Sequence, residues 1–276
     1  MEVVNTIAAL RERLGRQDAI AFVPTMGNLH AGHLHLVELA RAQAPYVVTS
    51  IFVNPLQFGA NEDLASYPRT LEADCAKLEA TGASLVFAPS EREMYPVPQQ
   101  VMVEPPPIAG ELCGAARPGH FRGMATVVLK LLNMVQPQTA VFGKKDYQQL
   151  FIIREIVRQL NLPVSIVAGE TTREADGLAM SSRNGYLSAA ERLEAPRLFR
   201  ALQQVMLAAQ GGRRDFAAIE AQTAQYLTQL GWVVDYISVR SADTLLPPAD
   251  NETRLVVLGA ARLGKTRLID NIEFAV

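Results

Sequence analysis

The sequence predicts an α/β chain: a parallel sheet with helical crossovers, followed by a smaller α+β unit. Three observations carry that prediction. Between residues 19 and 168, short apolar runs rich in β-branched residues alternate with helical stretches, the signature of right-handed β–α–β crossovers. Near residue 170 the alternation stops, and two helical stretches are followed by three strand-like runs. The first strand leads into Pro24-Thr25-Met26-Gly27-Asn28-Leu29-His30-Ala31-Gly32-His33 and then into a helix. A helix start of that kind offers unpaired N–H groups and about half a positive charge to an anion.

The elements follow in order. Asn5 to Leu14 places Ile7, Leu10 and Leu14 on one side of a surface helix. Ala19 to Val23 is a buried strand, the glycine-bearing turn follows, and Leu34 to Ala42 is amphipathic. Tyr46 to Val53 reads as a second parallel strand ending at Asn54-Pro55. After a polar loop to Pro68, Arg69 to Ala80 is helical and Ser84 to Ala88 is a third strand. Pro96 to Pro107 is too proline-rich to be regular, and Cys113 to Gly123 reads as a polar loop. Met124 to Val135 is a helix, Ala140 to Phe142 a strand, Gly143 to Gln149 the start of a helix reaching Gln159, and Val164 to Ala168 another strand. Beyond a polar stretch from Glu170 to Gly185, Ala189 to Ala209 and Phe216 to Leu230 are helical. Trp232 to Val239, Leu255 to Ala260 and Arg267 to Ile272 are strand-like.

Composition narrows the function classes. Apolar residues make up 49% of the 276 and charged residues 20%, an ordinary globular balance. A net charge of -2, from 26 basic and 28 acidic residues, gives no case for a nucleic-acid or membrane-surface partner. Cys75 and Cys113 lack metal-ligand spacing and fit a reducing compartment. Met1 to Gly15 has no signal-peptide core, and no apolar run approaches the ~20 residues of a membrane span. A soluble, cytoplasmic protein is expected.

Several polar clusters could carry chemistry. His30 and His33, three apart, read first as hydrogen-bond donors to a phosphate; the alternatives are that they cap or pack the helix, or hold a metal with His35. Lys145 and Asp146 suit triphosphate oxygens and a ribose or metal, or form an exposed first turn. Ser181, Ser182 and Arg183 suit phosphates in a flexible loop, or form an interdomain turn. Gln57 and Gln149, neutral amides, could orient a polar substrate without fixing its charge, or lie idle on the surface. Gly259 to Thr266 (GAARLGKT) matches the phosphate-loop pattern formally. It sits between two strand-like runs, without the helix that pattern needs, and is a chance match.

Taken in order, PTMGNLHAGH, SIFVNPLQF, YPRTLEAD, RPGHFRG, FGKKDYQQ, GLAMSSRNGYLS and LIDN resemble the pantothenate synthetase (pantoate–β-alanine ligase) family of the nucleotidyltransferase superfamily. The resemblance spans the whole chain. It implies condensation of (R)-pantoate with β-alanine, using ATP and Mg2+, through a pantoyl adenylate with release of pyrophosphate and AMP. It also implies a homodimer formed through the larger domain. By the same resemblance Met26, Gly27, Asn28, Leu29, His30, Ala31, Gly32 and His33 line the ATP site, with His33 the proton donor and His30 at the phosphates. Lys145, Ser181, Ser182 and Arg183 hold the phosphates, Lys144 and Met180 belong to the ATP site, Gly143 and Asp146 meet the ribose, and the Thr172 backbone meets adenine. His30, His33, Lys145 and Arg183 are the expected catalytic set. Gln57 and Gln149 bind pantoate, with Gln57 also facing β-alanine. Asn54, Tyr67 and Arg122 fall at matching substrate positions, and Asp74 neighbours Mg2+. Lys144 stands where some relatives carry an acidic residue.

Two rival readings remain open. An adenylyltransferase acting on a phosphorylated acceptor would share the H-x-x-H element but needs more cations than the glutamine pair offers. A nucleotide-binding regulator would keep the fold without needing His33. The expected architecture is a Rossmann-like ATP- and pantoate-binding domain over residues 1–170 and a smaller α+β lid domain over 171–276.

Overall fold

The structure, a computed structural model, describes residues 1–60 and 62–276. The chain forms two compact units. The first comprises Met1–Ala109, Arg117–Lys144 and Gln149–Glu170; the second comprises Gly110–Ala116, Lys145–Gln148 and Thr171–Val276.

In chain order the elements begin with β1 (Glu2–Val4), α1 (Ile7–Leu14), β2 (Ile20–Thr25), α2 (Ala31–Arg41) and β3 (Tyr46–Ile51). They continue with α3 (Leu71–Thr81), β4 (Leu85–Phe87), α4 (Glu91–Met94), α5 (Cys113–Ala116) and α6 (His120–Val135). Next are β5 (Thr139–Gly143), α7 (Tyr147–Gln159), β6 (Ser165–Gly169), α8 (Ala189–Glu194), α9 (Arg197–Gln210) and α10 (Phe216–Gln229). The chain closes with β7 (Val233–Ser241), β8 (Arg254–Leu263) and β9 (Thr266–Ala275).

In the first unit six strands form one Rossmann-like sheet in the order β1-β4-β3-β2-β5-β6, and every pairing is parallel. Central strands covered on both faces need no polar alternation. Accordingly Ala21, Phe22, Val23, Val47 and Val48 are all fully buried. Val37 and Ala40 of α2 pack with Ala21, Val23, Val47 and Val141 in one core cluster. The sheet's order reverses at β2, between β3 and β5, which is where open parallel sheets place ligands, beyond the carboxyl ends of the strands. Thr25 and Gly143 end the neighbouring strands β2 and β5, so Met26–His33 and Lys144 leave from that edge.

The second unit contains an antiparallel sheet, β7-β8-β9, with a core shared with α9 and α10. Leu198, Leu202 and Val205 from α9 meet Ile219 and Leu227 from α10 and Trp232, Val257 and Leu268 beside or within the sheet. Among the described residues no helix is long and apolar enough to cross a membrane.

Three local features differ from the expectation. β1 is a three-residue edge strand, too short to show a period. Cys113–Gly123 is largely helical: α5 occupies its start, and α6 begins at His120 rather than Met124. The expected helix from Ala189 to Ala209 is two, because Pro196 falls between Glu194 and Arg197 and cannot donate to the preceding turn. The sheet register also places Gly259–Thr266 along β8 and into the turn to β9, as the strand–turn reading requires.

Candidate active site

The β2–α2 junction is built on two left-handed residues, Gly27 (φ 84°) and Asn28 (φ 50°). A β-carbon on Gly27 would meet Ile51 Cγ2 at 3.1 Å and Asp74 Oδ2 at 3.2 Å, so glycine suits both the dihedral and the space. The turn is held from beneath by Asp74, whose side chain is fully buried. One Asp74 oxygen accepts from Leu29 N at 2.8 Å. The other accepts from Asn28 N at 2.8 Å and from Thr70 Oγ1 at 3.0 Å.

His30 is the N-cap of α2 and His33 the third helical residue. They cap each other's turn reciprocally: His30 Nδ1 accepts from Gly32 N at 3.2 Å, and His33 Nδ1 accepts from His30 N at 3.3 Å. A nitrogen that accepts carries no proton, so each neutral ring bears its proton on Nε2. The rings lie 4.1 Å apart, centre to centre. The structure shows the capping reading of this pair, and that cap is compatible with a role at a phosphate. The helix start fixes both rings through Nδ1.

Asn54 caps the turn Pro55–Gln57 by accepting from Leu56 N at 3.3 Å. Its amide donates to Gln57 Oε1 at 3.0 Å and to Gly123 O at 3.2 Å, and Tyr95 Oη donates to Asn54 Oδ1 at 2.7 Å. Burial raises the Tyr95 pKa, so that hydroxyl stays a donor. Gln57 Nε2 reaches Met26 Sδ at 3.2 Å, which ties this turn to the β2–α2 junction. Asn54, Gln57 and Met26 are thus brought together. Tyr67 is buried edge-on against Phe58. Arg122 lies half-exposed, paired with Glu104 at 3.1 Å.

Sequence reasoning missed a network behind Gln57. Glu62 binds Arg117 through both oxygens, each at 2.6 Å. Arg117 Nη1 lies 3.0 Å from His120 Nε2, and His120 Nδ1 lies 2.8 Å from Gln57 O. Guanidinium only donates and a carbonyl only accepts, so neutral His120 carries its proton on Nδ1. Burial pushes the Glu62 carboxyl up, but the Arg117 hydrogen bonds and charge outweigh it and hold it at about 2. Arg117 and His120 fall in the RPGHFRG block, but their partners lie 55 and 63 residues away, beyond any local pattern.

After β5, Lys144 pairs with Glu170 at 2.6 Å, and Lys145 lies 3.7 Å from Asp146. The two adjacent glutamines differ. Gln148 is buried and committed to the backbone of Cys113 and Glu111, whereas Gln149 is half-buried. In the second unit Met180 N donates to Thr172 O at 2.9 Å, closing the base of a loop. Ser181 caps a short turn, Ser182–Tyr186, by accepting from Arg183 N at 3.3 Å. Ser182 and Arg183 are both half-buried.

In the first unit the oriented imidazoles suit a phosphate and the neutral amides a polar group; in the second unit Lys145, Ser181, Ser182 and Arg183 offer the cations and hydroxyls that phosphates take. The family model described as pantoate-beta-alanine ligase matches residues 2–273. The chain belongs to that family. Membership makes it an enzyme with pantoate–β-alanine ligase activity. The pantothenate synthetase of Methylobacillus flagellatus is 67% identical over all of this chain and 99% of its own length. That of Thiobacillus denitrificans is 61% identical over 99% of this chain and 97% of its own. A crystal structure of the Thermus thermophilus pantothenate synthetase superposes with a TM-score of 0.93 at 47% identity, covering 99% of each chain. The Francisella tularensis ligase, solved with beta-gamma ATP and β-alanine, superposes with a TM-score of 0.84 at 33% identity, over 99% of this chain and 97% of its own.

The residues present do not fit a protein-held Mg2+. Both oxygens of Asp74 are engaged by N–H and O–H donors in a fully buried position. Among the described residues no group of three or more His, Cys, Asp or Glu could hold a metal.

Proposed function

We propose that this enzyme condenses (R)-pantoate with β-alanine at the expense of ATP, through a pantoyl-adenylate intermediate. The observation that carries the reading is the reciprocal His30/His33 cap, which fixes both imidazole rings at a helix start. In the first step a pantoate carboxylate oxygen attacks the α-phosphorus of ATP and pyrophosphate leaves. Negative charge spreads over the phosphoryl oxygens, where preorganised donors act most strongly. His33 and His30 supply such donors, and Lys145, Ser181, Ser182 and Arg183 supply charge and hydroxyls to the leaving pyrophosphate. Gly27 and Gly32 let the backbone approach the nucleotide, while Gly143, Asp146 and Thr172 meet its ribose and base. In the second step the β-alanine nitrogen attacks the acyl carbon, the C–O bond to AMP breaks, and the amine gives up its proton.

Gln57 and Gln149 orient pantoate by hydrogen bonds rather than charge, and Asn54 holds Gln57 in place. The Francisella tularensis complex with beta-gamma ATP and β-alanine supports both ligands for this family. Mg2+ enters with ATP as part of the substrate, and no step depends on a protein-held ion. We place the enzyme in the cytoplasm as a homodimer, in line with its composition and the family resemblance.

The test is pyrophosphate and AMP release from ATP and Mg2+ with pantoate, with and without β-alanine, for the native chain and His33→Ala. Pantoate-dependent pyrophosphate, with AMP and pantothenate turning over only when β-alanine is added, is expected. His33→Ala should lower adenylate formation by roughly 100-fold or more. Pyrophosphate release indifferent to pantoate would overturn the reading.

A further inference from the structure

The Leu268–Asn271 block lies in the middle of β9, and its two polar residues are both buried, Asp270 at 5% and Asn271 at 6% exposure. Successive residues of a strand point to opposite faces of the sheet. Leu268, Ile272 and Phe274 join the core shared with α9 and α10, and Asp270 has their parity. Its carboxylate receives two hydrogen bonds from Arg173, at 2.7 and 2.9 Å. Arg173 also lies 3.7 Å above the Phe199 ring of α9 and donates to Gly177 O at 3.1 Å. A planar guanidinium gripped along one edge and stacked on one face has little freedom left.

Arg173 stands in the hairpin 172–180, whose end runs directly into Ser181, Ser182 and Arg183. It bridges to Ala179, while its neighbour Thr172 accepts from Met180 N. On the opposite face of β9, Asn271 Nδ2 donates to Lys145 O at 3.0 Å. Two residues on, Glu273 accepts from Tyr147 Oη at 2.6 Å. Consecutive side chains of one strand thus hold both segments of the second unit to which the proposed phosphate contacts belong. Strand β9 is itself paired along its length with β8, so it is a stiffer support than either segment could provide alone.

We propose that Asp270 and Asn271 are positioning residues for the ATP phosphates: from the two faces of β9 they fix the segment bearing Lys145 and the loop bearing Ser181, Ser182 and Arg183. The proposal rests on the reading of those four residues as the phosphate grip. Asn271 acts through the backbone of Lys145, and Asp270 acts through the orientation of Arg173. Neither touches substrate.

The experiment uses the full chain with Asn271→Ala, Lys145→Ala, the double variant Asn271→Ala/Lys145→Ala, and Asp270→Asn. Pantoate-dependent pyrophosphate release gives KM for ATP and for pantoate separately. Asn271→Ala should lower kcat/KM for ATP about 10-fold, because a lost hydrogen bond loosens a charged group that must be held closely. The pantoate KM should stay within about two-fold. The double variant should be no worse than Lys145→Ala alone, since Asn271 then has nothing left to position. Asp270→Asn keeps the shape and one acceptor oxygen, so it should fold and show a smaller loss confined to ATP. A loss in Asn271→Ala spread equally over ATP and pantoate, or additive with Lys145→Ala, would overturn the proposal. If Lys145→Ala lowers kcat/KM for ATP and Asn271→Ala does not, the proposal alone falls. If Lys145→Ala leaves ATP kinetics unchanged, the phosphate grip itself is wrong and the proposal falls with it.

Discussion

Gly123→Ala tests whether the amide pocket depends on a close backbone approach. Gly123 lies in the first turns of α6, where a β-carbon would sit 2.7 Å from Gln57 N and closer still to the carbonyl of Leu56. Real β-carbons do not approach other atoms closer than about 3.0 Å. The obstacle is backbone rather than the end of a flexible side chain, so the turn Pro55–Gln57 must retreat by several tenths of an ångström to about 1 Å. Two opposing terms decide the sign. Alanine gains about 1 kcal/mol of helix propensity over glycine. Overpacking costs about 1–3 kcal/mol or more, and the retreat also stretches the bond from Asn54 Nδ2 to Gly123 O, 3.2 Å in the native chain. The steric term wins, leaving a net loss of about 1–3 kcal/mol. Thermal unfolding should therefore fall by roughly 2–10 °C, and pantoate KM should rise about 10-fold or more as Gln57 is displaced, with ATP KM nearly unchanged. An equal or higher melting temperature with native pantoate KM would refute the packing argument.

Asp74→Ala should destabilise the chain by about 2–5 kcal/mol and lower activity, because two buried N–H groups at Asn28 and Leu29 lose their acceptor. The half-saturating Mg2+ concentration should not move, and a raised Mg2+ requirement would restore Asp74 as a metal neighbour. Glu62 is held at about 2, below its unfolded carboxyl range near 4.5. Its contribution is therefore fully present above pH 4.5 and fades as pH falls from there towards 2. Glu62→Gln should be less stable than the native chain at neutral pH, and the two should converge in acid; parallel unfolding curves across that window would count against the ion pair. Leu202→Ala removes a fully buried side chain from the second unit's core and should cost about 2–5 kcal/mol there. Trp232, the sole tryptophan and 2% exposed, reports it: its fluorescence transition should shift to lower denaturant.

Much of the fold was legible because burial leaves a local trace. The apolar runs of β2 and β3 and the periodicity of α6 and α10 are statements about neighbouring residues, and they located these elements within a few positions. β1 was missed because three residues carry no period, and the helical break at Pro196 was overlooked although proline marks it. At the site, the order of PTMGNLHAGH within a strand–turn–helix context pointed to a nucleotide, and the ordered blocks pointed to the family. The sequence by itself thus determined the α/β class, the helix start that presents His30 and His33, and the family's chemistry. Only the tertiary structure decided that His30 and His33 cap each other through Nδ1, and that Asp74 braces a turn 45 and 46 residues away. It alone decided that Gln148 is committed to the backbone while Gln149 is not held in that way, and that Glu62, Arg117 and His120 stand behind Gln57. The physical reason is range. Periodicity and capping act over three or four residues along the chain, whereas a hydrogen bond's direction depends on which distant atoms the packed fold brings within about 3 Å.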